Sequence, residues 1–181
     1  MPRVRRRAVF LDRDGTLNER PAEHCYLRSP TQFRWLPGAR EGAALLAKAG
    51  YVLAVVSNQR GLARGLLDRA ALRAIEARVQ RGLAAHGCRI EAFRYCPHDL
   101  DMGCSCRKPA PGLLLDLAKD LRLDLGRSWM IGDSESDVLA GTAAGCRTIL
   151  LGRSPRDSRP DAVLGSLLDA GRLLGQKAYA A

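Results

Sequence analysis

The chain has 181 residues, of which 46% are apolar and 27% charged. That balance suits a folded protein with one hydrophobic core and excludes a fibrous repeat or a disordered chain. A formal charge of +10 attracts anionic ligands without naming one.

The first seven residues, Met1 to Arg7, are basic, but only Ala8 to Leu11 follow before Asp12 interrupts, so the apolar region of a secretory leader is missing. The longest apolar run, Tyr51 to Val56, is far too short to cross a bilayer, and a cytoplasmic protein without membrane attachment is expected. Ala8 to Leu11 is predicted to be a buried strand, and it runs straight into Asp12-Arg13-Asp14-Gly15-Thr16. Two carboxylates placed two residues apart at a strand end, with a glycine that lets the chain turn, can approach one reacting centre. One can attack a phosphate ester while the other handles protons.

A helix is expected from Gly38 to Gly50, followed by a second strand, Tyr51 to Val56. That strand ends at Ser57-Asn58, a hydroxyl and an amide able to donate hydrogen bonds to phosphoryl oxygens. The next helix runs from Asp68, a suitable N-cap, to His86, with Leu72, Ile75, Val79 and Leu83 on one face and Gly87 at its end. A third strand, Ala92 to Tyr95, leads into Cys96-Pro97-His98, and Cys104-Ser105-Cys106 follows five residues later. Three thiols and an imidazole at this spacing make a complete ligand set for tetrahedral zinc. Four protein ligands leave no open position, so the ion is expected to be structural, folding a loop with little core of its own. Cys25, Cys88 and Cys146 are expected to be free thiols.

Lys108 supplies a cation for charge on a transferring group. A helix beginning near Pro111 places Leu114, Leu117, Ala118 and Leu121 at helical spacing. Trp129 to Ile131 is a fourth strand ending at Gly132-Asp133, where Asp133 offers a second carboxylate for a magnesium ion. Asp137 lies one helical turn on and either supports the site from behind or sits on a solvated helix face. Thr148 to Leu151, a polar loop from Arg153 to Pro160, a weak strand at Ala162 to Leu164 and a final helix complete the chain.

Alternating strands and helices predict an α/β fold: one domain over residues 1–181 with a mostly parallel central sheet flanked by helices. Ligands bind such sheets beyond the carboxyl ends of the strands, where Asp12, Ser57-Asn58, Cys96-Pro97-His98 and Gly132-Asp133 all fall.

The four polar clusters Asp12-Arg13-Asp14-Gly15-Thr16, Ser57-Asn58, Lys108 and Gly132-Asp133 resemble, in this order, the motifs of the haloacid dehalogenase-like (HAD) phosphatase superfamily. The resemblance implies a Rossmann-like HAD fold, with Asp12 as nucleophile and Asp14 as acid/base. It also implies a magnesium ion held by Asp12, the Asp14 backbone carbonyl and Asp133. Only about forty residues separate Gly15 from Ser57, and they include a helix, so a capless, open site is expected.

Within the superfamily, a zinc loop ending Cys-Ser-Cys-Arg-Lys-Pro resembles two groups, the heptose 1,7-bisphosphate 7-phosphatases and the histidinol-phosphate phosphatases. The segments His24-Cys25-Tyr26-Leu27, Asn58 to Gly65 and Arg107 to Gly112 are similar to the heptose group, and the resemblance implies a sugar bisphosphate as substrate. Arg64 and Arg107 either suit a second, non-reacting phosphate through paired guanidinium donors or are ordinary surface charge. Cys25 stands where glycine is usual, and Ser134 where some members have lysine.

Hydrolysis of histidinol phosphate stays open, as do a polynucleotide 3'-phosphatase and a phosphate-binding module without activity. No aromatic stacking series supports nucleic acid as a partner. Nothing in the sequence marks an interface, and a monomer is the default expectation.

Overall fold

The computed structural model describes residues 5–22, 25–152 and 154–179. His24 of the expected 24–27 loop, most of the basic N-terminus and Arg153 lie outside the described residues.

Among the described residues six strands form one sheet: β1 (Ala8–Leu11), β2 (Val52–Asn58), β3 (Ala92–Cys96), β4 (Trp129–Gly132), β5 (Arg147–Leu151) and β6 (Ala162–Leu164). Their order is β3-β2-β1-β4-β5-β6, and every neighbouring pair is parallel. The helices are α1 (Ala39–Lys48), α2 (Arg69–Ala84), α3 (Gly112–Leu121), α4 (Glu135–Ala144) and α5 (Leu167–Tyr179).

Apolar residues occupy both faces of the central strands, as a sheet covered on two sides requires. Val9, Leu11, Leu53, Val55 and Ile131 face one way, into a core closed by α1, α2 and α5. Ala8, Phe10, Ala54, Val56 and Met130 face the other, against α3 and α4. The two-residue alternation of side chains along each strand sorts them.

Most elements fall where the sequence places them, and the differences have local causes. β2 extends two residues past the apolar run because its ladder with β3 continues through Ser57↔Tyr95 and Asn58↔Cys96. Asp68 does cap α2, accepting a 2.7 Å bond from the Ala71 amide, while Ala85 ends it one residue before His86.

Among the described residues between Gly15 and α1 the chain forms a short 3-10 turn (Pro30–Gln32) and isolated bridges such as Asn18↔Trp35, and these build no cap over the site. No helix among the described residues is long and apolar enough to cross a membrane.

Candidate active site

Four neighbouring strands, β3, β2, β1 and β4, deliver their polar residues to one sheet edge. Asp12 follows β1 directly, its amide held by the Ile131 carbonyl at 3.0 Å. The chain then turns through Gly15 at φ +92°, in the left-handed region. A Cβ at Gly15 would lie 2.0 Å from Asp133 Oδ2, so the bare backbone lets the first and fourth strand ends meet. Gly132 does the same for the start of α4, where a Cβ would lie 2.1 Å from Asp137 Oδ2.

Lys108 is 4% exposed, and its ammonium reaches 2.7 Å from Asp12 Oδ1, 2.6 Å from Asp137 Oδ1 and 2.8 Å from the Val56 carbonyl. Burial pushes the Asp12 carboxyl up, Lys108 pulls it down, and Asp137 and Asp14 add to the rise. Burial works to lower the Lys108 ammonium, but Asp12 and Asp137 outweigh it and hold Lys108 above its ordinary value. Asn58 serves this lysine from the backbone side: its amide donates to the Lys108 carbonyl at 3.0 Å and accepts from the Lys108 N–H at 3.1 Å. The Asn58 side chain is thus engaged in holding Lys108 rather than directed at a phosphoryl oxygen. Ser57 stands in the cleft wall, accepting a 3.1 Å bond from Gln59.

Asp14 is enclosed by donors. Arg13 binds both its oxygens, at 3.1 and 2.7 Å, while Asn18 and Gln59 donate at 2.8 and 2.9 Å. Burial acts to raise this carboxyl, yet the Arg13 guanidinium and these hydrogen bonds together hold it below the usual carboxylate range. The arrangement favours the ionised form of Asp14.

Carboxylate oxygens of Asp12, Asp133 and Asp137 lie within 4.8 Å of one another. Hard oxygen donors at this spacing fit magnesium. A cation's place is also marked by the Arg20 guanidinium, whose Nε and Nη2 donate to Asp133 at 3.0 and 2.6 Å.

Cys96, His98, Cys104 and Cys106 form the second cluster. Cys96 and Cys106 each lie 3.6 Å from the Cys104 sulfur, and His98 Nδ1 lies 3.6 Å from Cys96 and 3.2 Å from Cys106. Zn–S bonds of about 2.3 Å set tetrahedral edges of roughly 3.8 Å, close to these separations, whereas a disulfide needs about 2.05 Å. Burial and the neighbouring Cys96 and Cys104 push the Cys106 thiol up to about 12. A bound divalent cation reverses that preference, because it ligates the thiolate.

A cleft of about 560 Å³ opens over Asp12, Asp14, Ser57 and Lys108, within the range of small-metabolite sites. Arg20, Arg60 and Arg107 line it. Arg60 is braced by the Tyr26 hydroxyl at 3.0 Å, and Arg107 by the His98 carbonyl at 3.2 Å. Arg64 lies apart from the cleft lining, paired with Asp99 in the cysteine-rich loop. Cys88 and Cys146 are buried outside the cleft, and Cys25 lines it.

The sequence gives no individual role to Arg13, Asn18, Arg20 or Gln59, which lie beside recognised residues but carry no periodic signal of their own. The sequence admits two readings of Asp137, and its 1% exposure and pairing with Lys108 exclude the solvated helix face.

A parallel α/β sheet with this constellation at its carboxyl edge defines a phosphatase of the HAD class, and residues 105–170 match the HAD-hydrolase-like family model. The heptose-1,7-bisphosphate 7-phosphatase of Bordetella bronchiseptica is 41% identical over 138 residues, 76% of either chain. That of Photorhabdus laumondii is 37% identical over 90% of this chain and 92% of its own. A crystal structure of the B. bronchiseptica D,D-heptose 1,7-bisphosphate phosphatase, complexed with magnesium and phosphate, superposes with a TM-score of 0.85 at 35% identity. It covers 94% of this chain and 99% of the other. The present chain belongs to the family of the D-glycero-beta-D-manno-heptose-1,7-bisphosphate 7-phosphatases.

Proposed function

We propose that this chain, as a single domain, removes the 7-phosphate of D-glycero-D-manno-heptose 1,7-bisphosphate through an aspartyl-phosphate on Asp12. The observation that carries the reading is the placement of Asp12 and Asp14 on one loop, with Lys108 against Asp12, under an arginine-lined cleft. The names of its relatives supply the substrate.

An Asp12 carboxylate oxygen attacks phosphorus while the bond to the sugar oxygen breaks, and Asp14 gives that oxygen a proton. The incoming phosphate dianion raises the Asp14 pKa, which favours the protonated form this step needs. Asp14 then takes a proton from water, which attacks phosphorus, frees phosphate and restores Asp12. Lys108 and the Ser57 hydroxyl stabilise charge on the phosphoryl oxygens. Asn58 acts through Lys108.

Asp12, the Asp14 carbonyl and Asp133 would hold magnesium, which would supply positive charge to offset the negative charge of the phosphate. Cys96, His98, Cys104 and Cys106 would hold a structural zinc that sets the position of Arg107 and Lys108. Arg107, at the cleft wall, suits the phosphate that is not transferred.

Phosphate release tests the reading, using the heptose bisphosphate, histidinol phosphate and a 3'-phosphorylated DNA oligonucleotide. The expected result is kcat/KM at least about tenfold higher for the bisphosphate, with phosphorus NMR showing loss of the 7-phosphate. A preference for either other substrate would overturn it.

A further inference from the structure

Arg20 has no part in the chemistry described above, yet it makes a two-toothed contact with the carboxylate expected to hold magnesium. Its fork engages both Asp133 oxygens, at 3.0 and 2.6 Å. A magnesium ion takes a carboxylate oxygen at about 2.0–2.1 Å and requires a near-octahedral shell, so a cation on either Asp133 oxygen competes with the guanidinium fork for it. The Arg20 side chain is 50% exposed, against 11% for Asp133. Arg20 lies two residues after Asn18, outside any helix or strand. Arg20 lines the cleft beside Arg60 and Arg107, whereas Asp133 does not.

From these contacts we infer that Arg20 is a residue with two positions, coupled to metal. Before the metal binds, its guanidinium neutralises Asp133. Once the cation takes Asp133, the guanidinium is displaced into the cleft, where it binds the phosphate that is not transferred. Arg20 is in this sense a substrate-binding residue released by the metal, and it contributes to selection of bisphosphates over monophosphates. A bisphosphate brings two dianions; Lys108 with the metal answers the one at Asp12, which leaves the other to Arg107 and Arg20 at the cleft wall. The substrate half of the inference rests on the proposed function, while the competition for Asp133 does not.

Two measurements test it on the full chain, with Arg20→Ala and Arg20→Lys beside wild type. Calorimetric titration with magnesium chloride, without substrate, reads the competition. Removing a partly exposed ion pair should tighten magnesium binding by roughly 2- to 10-fold in Arg20→Ala. Arg20→Lys, which keeps charge but loses the fork, should fall between. Steady-state kinetics on the heptose bisphosphate and on heptose 7-phosphate read the second position. In Arg20→Ala the ratio of the two KM values should shift against the bisphosphate by about 10-fold or more, as expected for a lost charged hydrogen bond.

Equal magnesium affinity in wild type and Arg20→Ala would overturn the competition, and an unchanged KM ratio would overturn the second position. Wild-type protein that hydrolyses neither ester would overturn the proposed function and the substrate half with it. The magnesium titration would still decide the competition.

Discussion

Two ligand clusters lie at the same sheet edge and differ in kind. Cys96, His98, Cys104 and Cys106 are four soft donors packed at mutual distances of 3.2–3.6 Å, a closed set with no position left for substrate. Asp12, Asp133 and Asp137 are hard donors that share their space with side-chain cations, the buried Lys108 ammonium and the half-exposed Arg20 guanidinium. A closed shell suits holding a loop, and an open one suits exchange of metal, substrate and product. Lys108 follows the first cluster by two residues and ends inside the second. Folding of the cysteine loop and construction of the site are therefore linked through the chain.

The largest effect should come from the open cluster. Asp12→Asn cannot form the acyl phosphate and should lower turnover by at least about 10⁴-fold, with unchanged circular dichroism. Wild-type rates in protein verified as non-deamidated would remove Asp12 from the mechanism.

Lys108→Met should lower kcat by about 10²- to 10³-fold and also lower stability. It leaves Asp12 and Asp137 buried without their cation, at a cost of about 3–5 kcal/mol, and thermal melting should show it. An unchanged Tm would mean that the two carboxylates are neutral in the free protein.

Chelation separates the clusters directly. Stripping zinc, verified by elemental analysis, should lower Tm by roughly 10 °C, since each kcal/mol is worth about 2–4 °C at this size. Removing magnesium alone should stop turnover and leave Tm nearly unchanged. Equal Tm losses would break the distinction between a structural and a catalytic ion.

Arg64→Ala should have the smallest effect. Its pair with Asp99 is solvent-facing, so kcat and KM should stay within about threefold of wild type. A KM rise selective for the bisphosphate would return Arg64 to the substrate site.

The strands were legible because a sheet buried on both faces leaves short, nearly unbroken apolar runs, as in Ala8–Leu11 and Trp129–Gly132. Their polar ends were legible for the same reason, since a carboxylate or thiol stands out where an apolar run stops. Partnership was not legible. Asn58 looked like a donor to phosphate, but β2 continues through it beside Cys96, and its amide meets the Lys108 backbone. Arg13 lay hidden between two aspartates, although its burial at 1% exposure orients Asp14.

Local chemistry along the chain was enough for the order of strands and helices, for singling out Asp12, Asp14, Lys108 and Asp133 as candidates, and for grouping Cys96, His98, Cys104 and Cys106. Each of these depends on residue type and near-neighbour spacing. Which cation faces which carboxylate was decided only by the packed sheet. Lys108 lies 96 positions from Asp12, and Arg20 lies 113 from Asp133. Charges in a low-dielectric interior pair by distance in space, and sequence separation does not encode that distance.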